Sequence, residues 1–470
     1  MTRIAVIGGG IAGLSAAFRL EQKRAGGVEY ALFEASGRLG GVIRTERQDG
    51  FIIEAGPDSF LSEKPWAAQL CRDLGIGSDL LSSRDHQRKT FILVNDRLIE
   101  MPDGLMFMVP TKLWPLATTS LFSLSAKLRA AQERWSKPRE SGEDESVASF
   151  VTRHFGREMV ERVAGPLLAG VYGGSAEKLS VRAVLPRFVT MERERGSLVR
   201  AMLEARTKMP VAQPAATPSL FTTLAGGMQQ MTDAVAAKLA PASIRLDSPV
   251  RTLRRAGTQW TVVTGAGEQA FDAVILALPA YAAADLLGST DSKLTGELRG
   301  IAYNSSITVA LAYDAASIGA ATRAKIEGFG FLVSQGGANK GKMLACTYVQ
   351  NKFAGRAPAG KLLFRCFIGG AAATASMQLS DEDLASAIRG ELRQVLGLNA
   401  EPLFTRVFRW PQAMAQYEVG HLDRVARIDQ LVAQLPGLAL AGNAYRGIGV
   451  PDCVREGAAA ADRLLPPPTK

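Results

Sequence analysis

The stretch RIAVIGGGIAGLSAAFRL, residues 3–20, restricts the fold of this chain more than any other. A short apolar run breaks into glycines and leaves as an Ala- and Leu-rich segment, which predicts a strand from Arg3 to Ile7 and a helix from Ala12 to about Lys23. A second strand, VEYALFEA, ends at Glu34, so the first thirty-odd residues read as one βαβ unit. Gly8, Gly10 and Gly13 stand in a G-x-G-x-x-G array. The first allows a tight turn, the second a close backbone approach to a pyrophosphate, and the third tight packing of helix on strand. The following helix offers free N–H groups and its positive dipole end to phosphates. Glu34 lies 21 residues after Gly13, where a carboxylate accepts hydrogen bonds from ribose hydroxyls and disfavours a 2′-phosphate. The turn is a dinucleotide site.

Two further features ask for a longer cofactor. EASGRLGGVIRT, residues 34–45, follows at once, with Arg38 placed for a phosphate and Gly40 and Gly41 allowing a second close backbone approach. Near the other end, LALAGN reads as an apolar strand, and a helix is expected to begin near Pro451, a residue suited to a first turn. Such a helix points its dipole at whatever precedes it, a stabilisation of ~1 kcal/mol for a partly buried anion.

At 470 residues the chain exceeds the usual size of a single core, so more than one domain is expected. GFIIEAGP (50–57) reads as a strand entering a Gly-Pro loop. WTVVTGAGEQAFDAVILALPA reads as a strand, a turn and one very apolar strand closed by Pro279. IAYNSSITVALAY (301–313) and KLLFRCFIGG (361–370), with a helix over 381–397, suggest an α+β module. MPVAQPAATPS (209–219) reads as an exposed connection, so the pieces interleave.

Net charge is +10, which favours anionic partners. Residues 87–210 carry 20 Lys and Arg against 14 Asp and Glu, a local +6. The same region holds GLMFMVP (104–110) and LWPLATTSLFSLSA (113–126), which fall short of the ~20 apolar residues of a spanning helix. They read as a patch lying on a surface. No nucleic-acid module is visible. Cys71, Cys346, Cys366 and Cys453 form no CxxC pair, so neither a disulfide framework nor a metal site is expected, and a reducing cytoplasm fits. The N-terminal apolar run is too short for a signal peptide. Only His86, His154 and His421 represent their type, none in a nucleophile or metal pattern. No side-chain acid or base is assigned, as suits chemistry carried by a cofactor.

GGGIAG…FEASGRLGG resembles the FAD-binding signature of the flavin amine oxidase and phytoene desaturase superfamily. Within it EAGPDSF (54–60), PLLAGVYGGSAEKLS (166–180), FRWPQAMAQYEVGH (408–421) and GNAYRGIGVPDC (442–453) resemble the protoporphyrinogen oxidase family, with likeness from end to end. The resemblance implies α/β and α+β architecture. The FAD-binding domain is Rossmann-like and comes in three parts, 1–86, 220–300 and 408–470. A mostly helical membrane-binding domain spans 87–219, and an α+β substrate domain spans 301–407.

It also implies FAD contacts at Gly8, Gly9, Gly10, Ile11, Ala12, Gly13, Glu34, Ala35, Arg38, Gly40, Gly41, Val42, Gly56, Pro57, Asp58, Ser59, Val250, Trp410, Gly442, Ile448, Gly449 and Val450. The family has Asn where this chain has Asp58, which leaves the loop backbone as the implied contact. Gly170, Leu332 and Phe367 fall where the family lines its macrocycle. Plant relatives place an arginine against a propionate at a position matching Thr90, with Lys89 and Arg88 one and two residues away.

The expected activity is oxidation of a porphyrinogen by FAD, with molecular oxygen as acceptor and hydrogen peroxide as product. The protein is expected in the cytoplasm, attached peripherally to the inner face of the cell membrane, and a homodimer is left open. Protoporphyrinogen IX stands first as substrate, and coproporphyrinogen III on the same fold is the alternative. An amine oxidase, a carotenoid desaturase and a non-catalytic binder on this scaffold stand further off.

Overall fold

The computed structural model describes residues 2–139, 143–208, 219–288, 290–335 and 341–465. The chain divides into two compact units. The first comprises Met1–Ser83, Ser219–Ala302 and Asp423–Lys470, and the second comprises Arg84–Pro218 and Tyr303–Leu422. The connection expected over 209–219 lies, apart from Ser219, outside the described residues.

The first unit is built on a five-stranded parallel sheet in the order Ile244–Arg245, Val28–Phe33, Thr2–Ile7, Ala273–Leu276, Leu438–Leu440. Its central strands are apolar on both faces, with Ile4, Ala5, Val6, Val274 and Ile275 at 0 % exposure, because helices cover a parallel sheet on both sides. The first strand and the helix Ile11–Glu21 follow the expected βαβ pattern, and the second strand ends at Phe33, one residue before Glu34. The apolar segment before Pro279 differs from expectation. It is two strands, Gly267–Phe271 in a three-stranded antiparallel sheet and Ala273–Leu276 in the parallel one, separated at Asp272. Asp272 carries the break, since its carboxylate accepts the Arg3 backbone N–H at 2.8 Å and ends one ladder where the next begins.

The second unit is organised around a seven-stranded mixed sheet. Its order is Phe404–Ala415, Tyr303–Asp314, Lys361–Gly369, Met343–Tyr348, Gly330–Val333, Thr90–Val94, Arg97–Glu100. One face buries Leu93, Phe331, Cys346 and Cys366 against the helix Asp381–Leu396, whose N-terminus Ser380 caps. The other meets a helical layer that includes Val147–Phe155, Gly165–Tyr172 and Pro186–Arg195.

Two expected boundaries change. Residues 87–219 are not a separate helical domain, because Thr90–Val94 and Arg97–Glu100 complete the sheet formed by 303–422. Residues 408–422 group with that unit as well, since Phe404–Ala415 pairs along Tyr303–Asp314 as its edge strand. Among the described residues no helix is long and apolar enough to cross a membrane, and all four cysteines are free thiols.

Candidate functional site

The glycine turn of the first unit is shaped by contacts that exclude side chains. Gly8 has φ +107°, and a Cβ there would lie 2.4 Å from the Ala277 carbonyl oxygen. A Cβ at Gly13 would lie 1.8 Å from the Gly8 carbonyl oxygen, so the first helical turn sits directly on the bend. Gly10 is different. It is the N-cap residue of Ile11–Glu21, without a side-chain cap, and its Cβ direction is open. Open space over the first N–H groups of an 11-residue helix is what a pyrophosphate needs.

The second glycine loop is tied to the first. The Gly40 N–H donates to the Gly9 carbonyl at 2.8 Å, and a Cβ at Gly41 would stand 3.1 Å from the Gly10 Cα. The guanidinium of Arg38 donates to the carbonyls of Leu39, Gly41 and Ile43. These bonds shape the loop that approaches the turn. Burial and the nearby Arg44 charge lower the pKa of Arg38 from the ordinary value. Val42 is 43 % exposed, and its carbonyl oxygen would be 1.8 Å from a Cβ at Gly56, so the loop Gly56–Ser59 lies against it without side chains between. In that loop Asp58 accepts from the Ser59 hydroxyl at 2.7 Å, and its carbonyl accepts from Thr223 at 2.8 Å.

Glu34 closes the other side. One carboxylate oxygen accepts the Gly9 N–H at 2.7 Å, and the other accepts the Ser36 N–H and hydroxyl at 2.9 and 2.7 Å. The carbonyl of Glu34 accepts the Ser248 N–H at 2.9 Å, and Asp247 donates to the Ser36 carbonyl, which brings the segment leading to Val250 beside Glu34 and the exposed Ala35.

The C-terminal piece returns to the same unit. Ala441, before Gly442, donates to the Leu276 carbonyl at the end of the parallel sheet. Ile448 and Gly449 lead into the helix Val450–Leu464, with Gly449 as N-cap and Pro451 in its first turn. That helix crosses Ile11–Glu21 where a Cβ at Gly457 would be 2.0 Å from the Ala12 carbonyl oxygen. The two ends of the chain therefore lie backbone to backbone.

Three residues that matter here escaped sequence reasoning. Gly457 sits in an Ala-rich helix and looks like ordinary helix filling. Asp452, with a side chain 3 % exposed, pairs with Lys64 at 2.5 Å, and its carboxylate packs where a Cβ at Gly447 would fall. An acid in the first helical turn is a usable signal for Asp452. Nothing near Lys64 marks its partner.

In the second unit, Gly170 and Val171 form the exposed side of the helix Gly165–Tyr172, and a Cβ at Gly170 would lie 3.9 Å from Leu332. Leu332 and Phe367 are half-buried on the same sheet face, each paired with Ala345. Trp410, also in this unit, pairs with Ser306 on the edge strand. Thr90 opens its strand opposite Gly330. The Lys89 ammonium pairs with Glu327 at 3.1 Å on the surface, which raises its pKa, and Arg88 follows the short turn Asp85–Gln87. Among the described residues no cluster of His, Cys, Asp and Glu is arranged to hold a metal.

The sequence pattern of the flavin containing amine oxidoreductases matches residues 11–465. The chain belongs to this family. It is 35 % identical to the coproporphyrinogen III oxidase of Bacillus subtilis (strain 168), over 98 % of this chain and 97 % of the relative. It is 27 % identical to the mitochondrial protoporphyrinogen oxidase of Nicotiana tabacum, over 98 % and 94 %. A crystal structure from Exiguobacterium sp. 255-15, provisionally named as a protoporphyrinogen oxidase, superposes with a TM-score of 0.87 at 30 % identity, covering 98 % of both chains.

A flavin containing amine oxidoreductase carries FAD, and the residues present fit it. Three backbone-lined approaches, at Gly8–Gly13, Gly40–Val42 and Gly56–Ser59, leave room where side chains would collide, and Glu34 supplies a carboxylate at the bend. Glu34→Ala removes that acceptor and leaves the Gly9 and Ser36 donors without it. FAD affinity is expected to fall on the order of tenfold to a hundredfold, since a hydrogen bond to a charged group contributes ~1.5–3 kcal/mol. Titration of apoprotein with FAD, followed by flavin fluorescence, measures it; an unchanged Kd would remove Glu34 from the site.

Proposed function

We propose that the protein is an FAD-dependent porphyrinogen oxidase, and that coproporphyrinogen III, the tetracarboxylate, is its preferred substrate. The observation that carries this reading is the end-to-end likeness to enzymes named coproporphyrinogen III oxidase, three of them 30–35 % identical over 98 % of this chain. It displaces protoporphyrinogen IX from first place. The half-exposed apolar surface of Gly170, Val171, Leu332 and Phe367 suits a flat macrocycle.

Bound FAD would supply a two-electron acceptor for hydrogens that leave the substrate's meso carbons and pyrrole nitrogens. Six hydrogens leave the macrocycle, and each pair reduces one O2 to hydrogen peroxide. The chain's own part is to orient and exclude water. The cradle of glycines and Glu34 holds the nucleotide, and the apolar sheet face receives the ring.

The functional test is direct. Purified holoprotein is given either porphyrinogen in air, and fluorescent porphyrin and peroxide are followed together. We expect kcat/KM for coproporphyrinogen III to exceed that for protoporphyrinogen IX by about tenfold or more, an energy difference of ~1.4 kcal/mol. The reverse preference would restore protoporphyrinogen IX, and no oxidation of either would end the reading.

Attachment to an anionic membrane surface belongs to the same proposal. Leu113, Trp114, Leu124 and Trp135 are 61, 77, 74 and 73 % exposed, with Lys112, Lys127, Arg134 and Lys137 interleaved. Aromatic and aliphatic side chains among cations suit the headgroup layer, each cation adding about 1 kcal/mol near an anionic leaflet. The protein is expected to float with phosphatidylglycerol vesicles at low salt, and W114A/W135A to remain at the bottom of the gradient. Wild-type protein that stays behind at low salt would remove the membrane from the account.

A further inference from the structure

The seven-stranded sheet of the second unit carries two adjoining rows of different chemistry on one face. In the first row Ile92, Leu332, Ala345, Phe367 and Thr308 stand side by side across five strands. The second row, two residues along each strand, holds Thr90, Gly330, Thr347, Arg365 and Ala310 in the same order. Residues two apart on a strand share a face, so both rows look the same way. Leu332 and Phe367 are about 10 Å apart at ordinary strand spacing, the breadth of a tetrapyrrole. The first row is an apolar bed, and the second borders it with hydroxyls and one guanidinium.

We propose that Arg365 is the cation that receives a propionate carboxylate of the substrate. This rests on the porphyrinogen reading above and deepens it, because a substrate with more carboxylates has more to gain from a cation at this edge. Arg365 is 5 % exposed, and its guanidinium lies 4.6 Å from the centre of the Phe367 ring. Phe367, itself half-buried, positions the fork. A guanidinium keeps its charge at this depth and presents paired donors to a carboxylate. The three candidates of the sequence reading are less suited. Thr90 stands in the same row but carries no charge, Lys89 lies out on the surface with its side chain 48 % exposed, and Arg88 precedes the strand.

The test compares coproporphyrin III with its tetramethyl ester, which has the same ring and no carboxylate. Binding of each to holoprotein is followed by porphyrin fluorescence in wild type, Arg365→Gln and Arg365→Lys, with flavin content and circular dichroism as controls for folding. For Arg365→Gln we expect the Kd of coproporphyrin III to rise on the order of 30-fold, as for truncation of one side of a desolvated charge pair, and that of the ester to stay within twofold. Arg365→Lys, which keeps the charge and loses the fork, should fall between.

Equal affinity of Arg365→Gln and wild type for the tetra-acid overturns the proposal, as does an equal loss for acid and ester. If Arg365→Gln fails to retain flavin, Arg365→Lys decides. A loss for the acid alone supports the assignment, and no loss overturns it. Wild type that oxidises a porphyrinogen while the variants bind the acid unchanged defeats only the role of Arg365. Wild type that neither oxidises nor binds defeats the functional reading itself.

Discussion

Gly13→Ala protein is expected to be colourless. The added methyl would lie 1.8 Å from the Gly8 carbonyl oxygen, and both partners are backbone, so no flexible side chain can move aside. Gly8 is itself confined, with φ +107° and the Ala277 carbonyl 2.4 Å from its own Cβ direction. Relief must come from lifting the helix Ile11–Glu21 off the sheet, which also moves its first N–H groups from the cofactor phosphates. Overpacking of this kind costs about 1–3 kcal/mol or more, and the loss of bound flavin removes a further stabilisation by mass action. FAD occupancy after purification should drop at least about tenfold, the equivalent of ~1.4 kcal/mol.

Gly10→Ala separates folding from binding. Its methyl meets no atom within 4 Å, so the apoprotein should melt as wild type does while FAD binds more weakly because the open space is partly filled. Gly13→Ala protein with full flavin absorbance would refute the cradle as described.

Glu133→Ala is expected to be the most destabilising change in the helical layer of the second unit. Glu133 is 2 % exposed and accepts from the Ser197 hydroxyl at 2.8 Å, the Leu198 and Val199 N–H groups at 2.6 and 3.2 Å, and His154 Nδ1 at 2.9 Å. It thus caps the helix Leu198–Lys208 from a distant turn and holds one side of a buried imidazole, whose other nitrogen meets Glu192 at 3.2 Å. Alanine strands these donors in a dry interior at a cost of about 3–5 kcal/mol. Urea denaturation should show a correspondingly lower midpoint, and Glu133→Gln, which keeps an acceptor, a smaller loss. An unfolding free energy within ~0.5 kcal/mol of wild type for Glu133→Ala would contradict the cluster.

The same cluster carries a pH dependence. Burial works against a charged His154, but its hydrogen bonds to Glu133 and Glu192 and their charges outweigh it, and the pKa is raised. Stability from protonated His154 is therefore complete below the ordinary imidazole value and is lost as pH rises through the raised one. Burial likewise opposes a charged Glu192, but His154 and Arg153 hold its pKa down at about 2, so its contribution is lost only on strong acidification. The difference in unfolding free energy between about pH 6 and about pH 9 should shrink in His154→Gln relative to wild type. An identical pH profile for the two proteins would show that the imidazole is not charged in the fold.

Local chemistry was enough to read the nucleotide end of this protein from its sequence. A glycine that must be a glycine, followed by a helix and then by a strand ending in an acid, is a short-range pattern. Gly8, Gly13 and Glu34 stand within one βαβ unit, where spacing along the chain sets spacing in space. The long strands around 301–313 and 361–370 were legible for a similar reason, since β-branched and apolar runs announce themselves. The break at Asp272 was not, because ending one sheet and entering another depends on which strands arrive alongside. The family resemblance sets the stretch after residue 87 apart as a helical domain, whereas the strands Thr90–Val94 and Arg97–Glu100 join the seven-stranded sheet, because membership of a sheet is set by pairing.

What the sequence by itself determined is the βαβ nucleotide unit, the family and the flavin, because these rest on residues that are neighbours in the chain or on likeness spread over its whole length. Only the tertiary structure decided that Gly457 meets Ala12, that Lys64 meets Asp452, and that Arg365 borders the row holding Leu332 and Phe367. Each joins residues at least 35 positions apart or sets neighbours on one face through the register of a third strand. Such adjacencies arise from packing and hydrogen-bond register, which no single segment encodes.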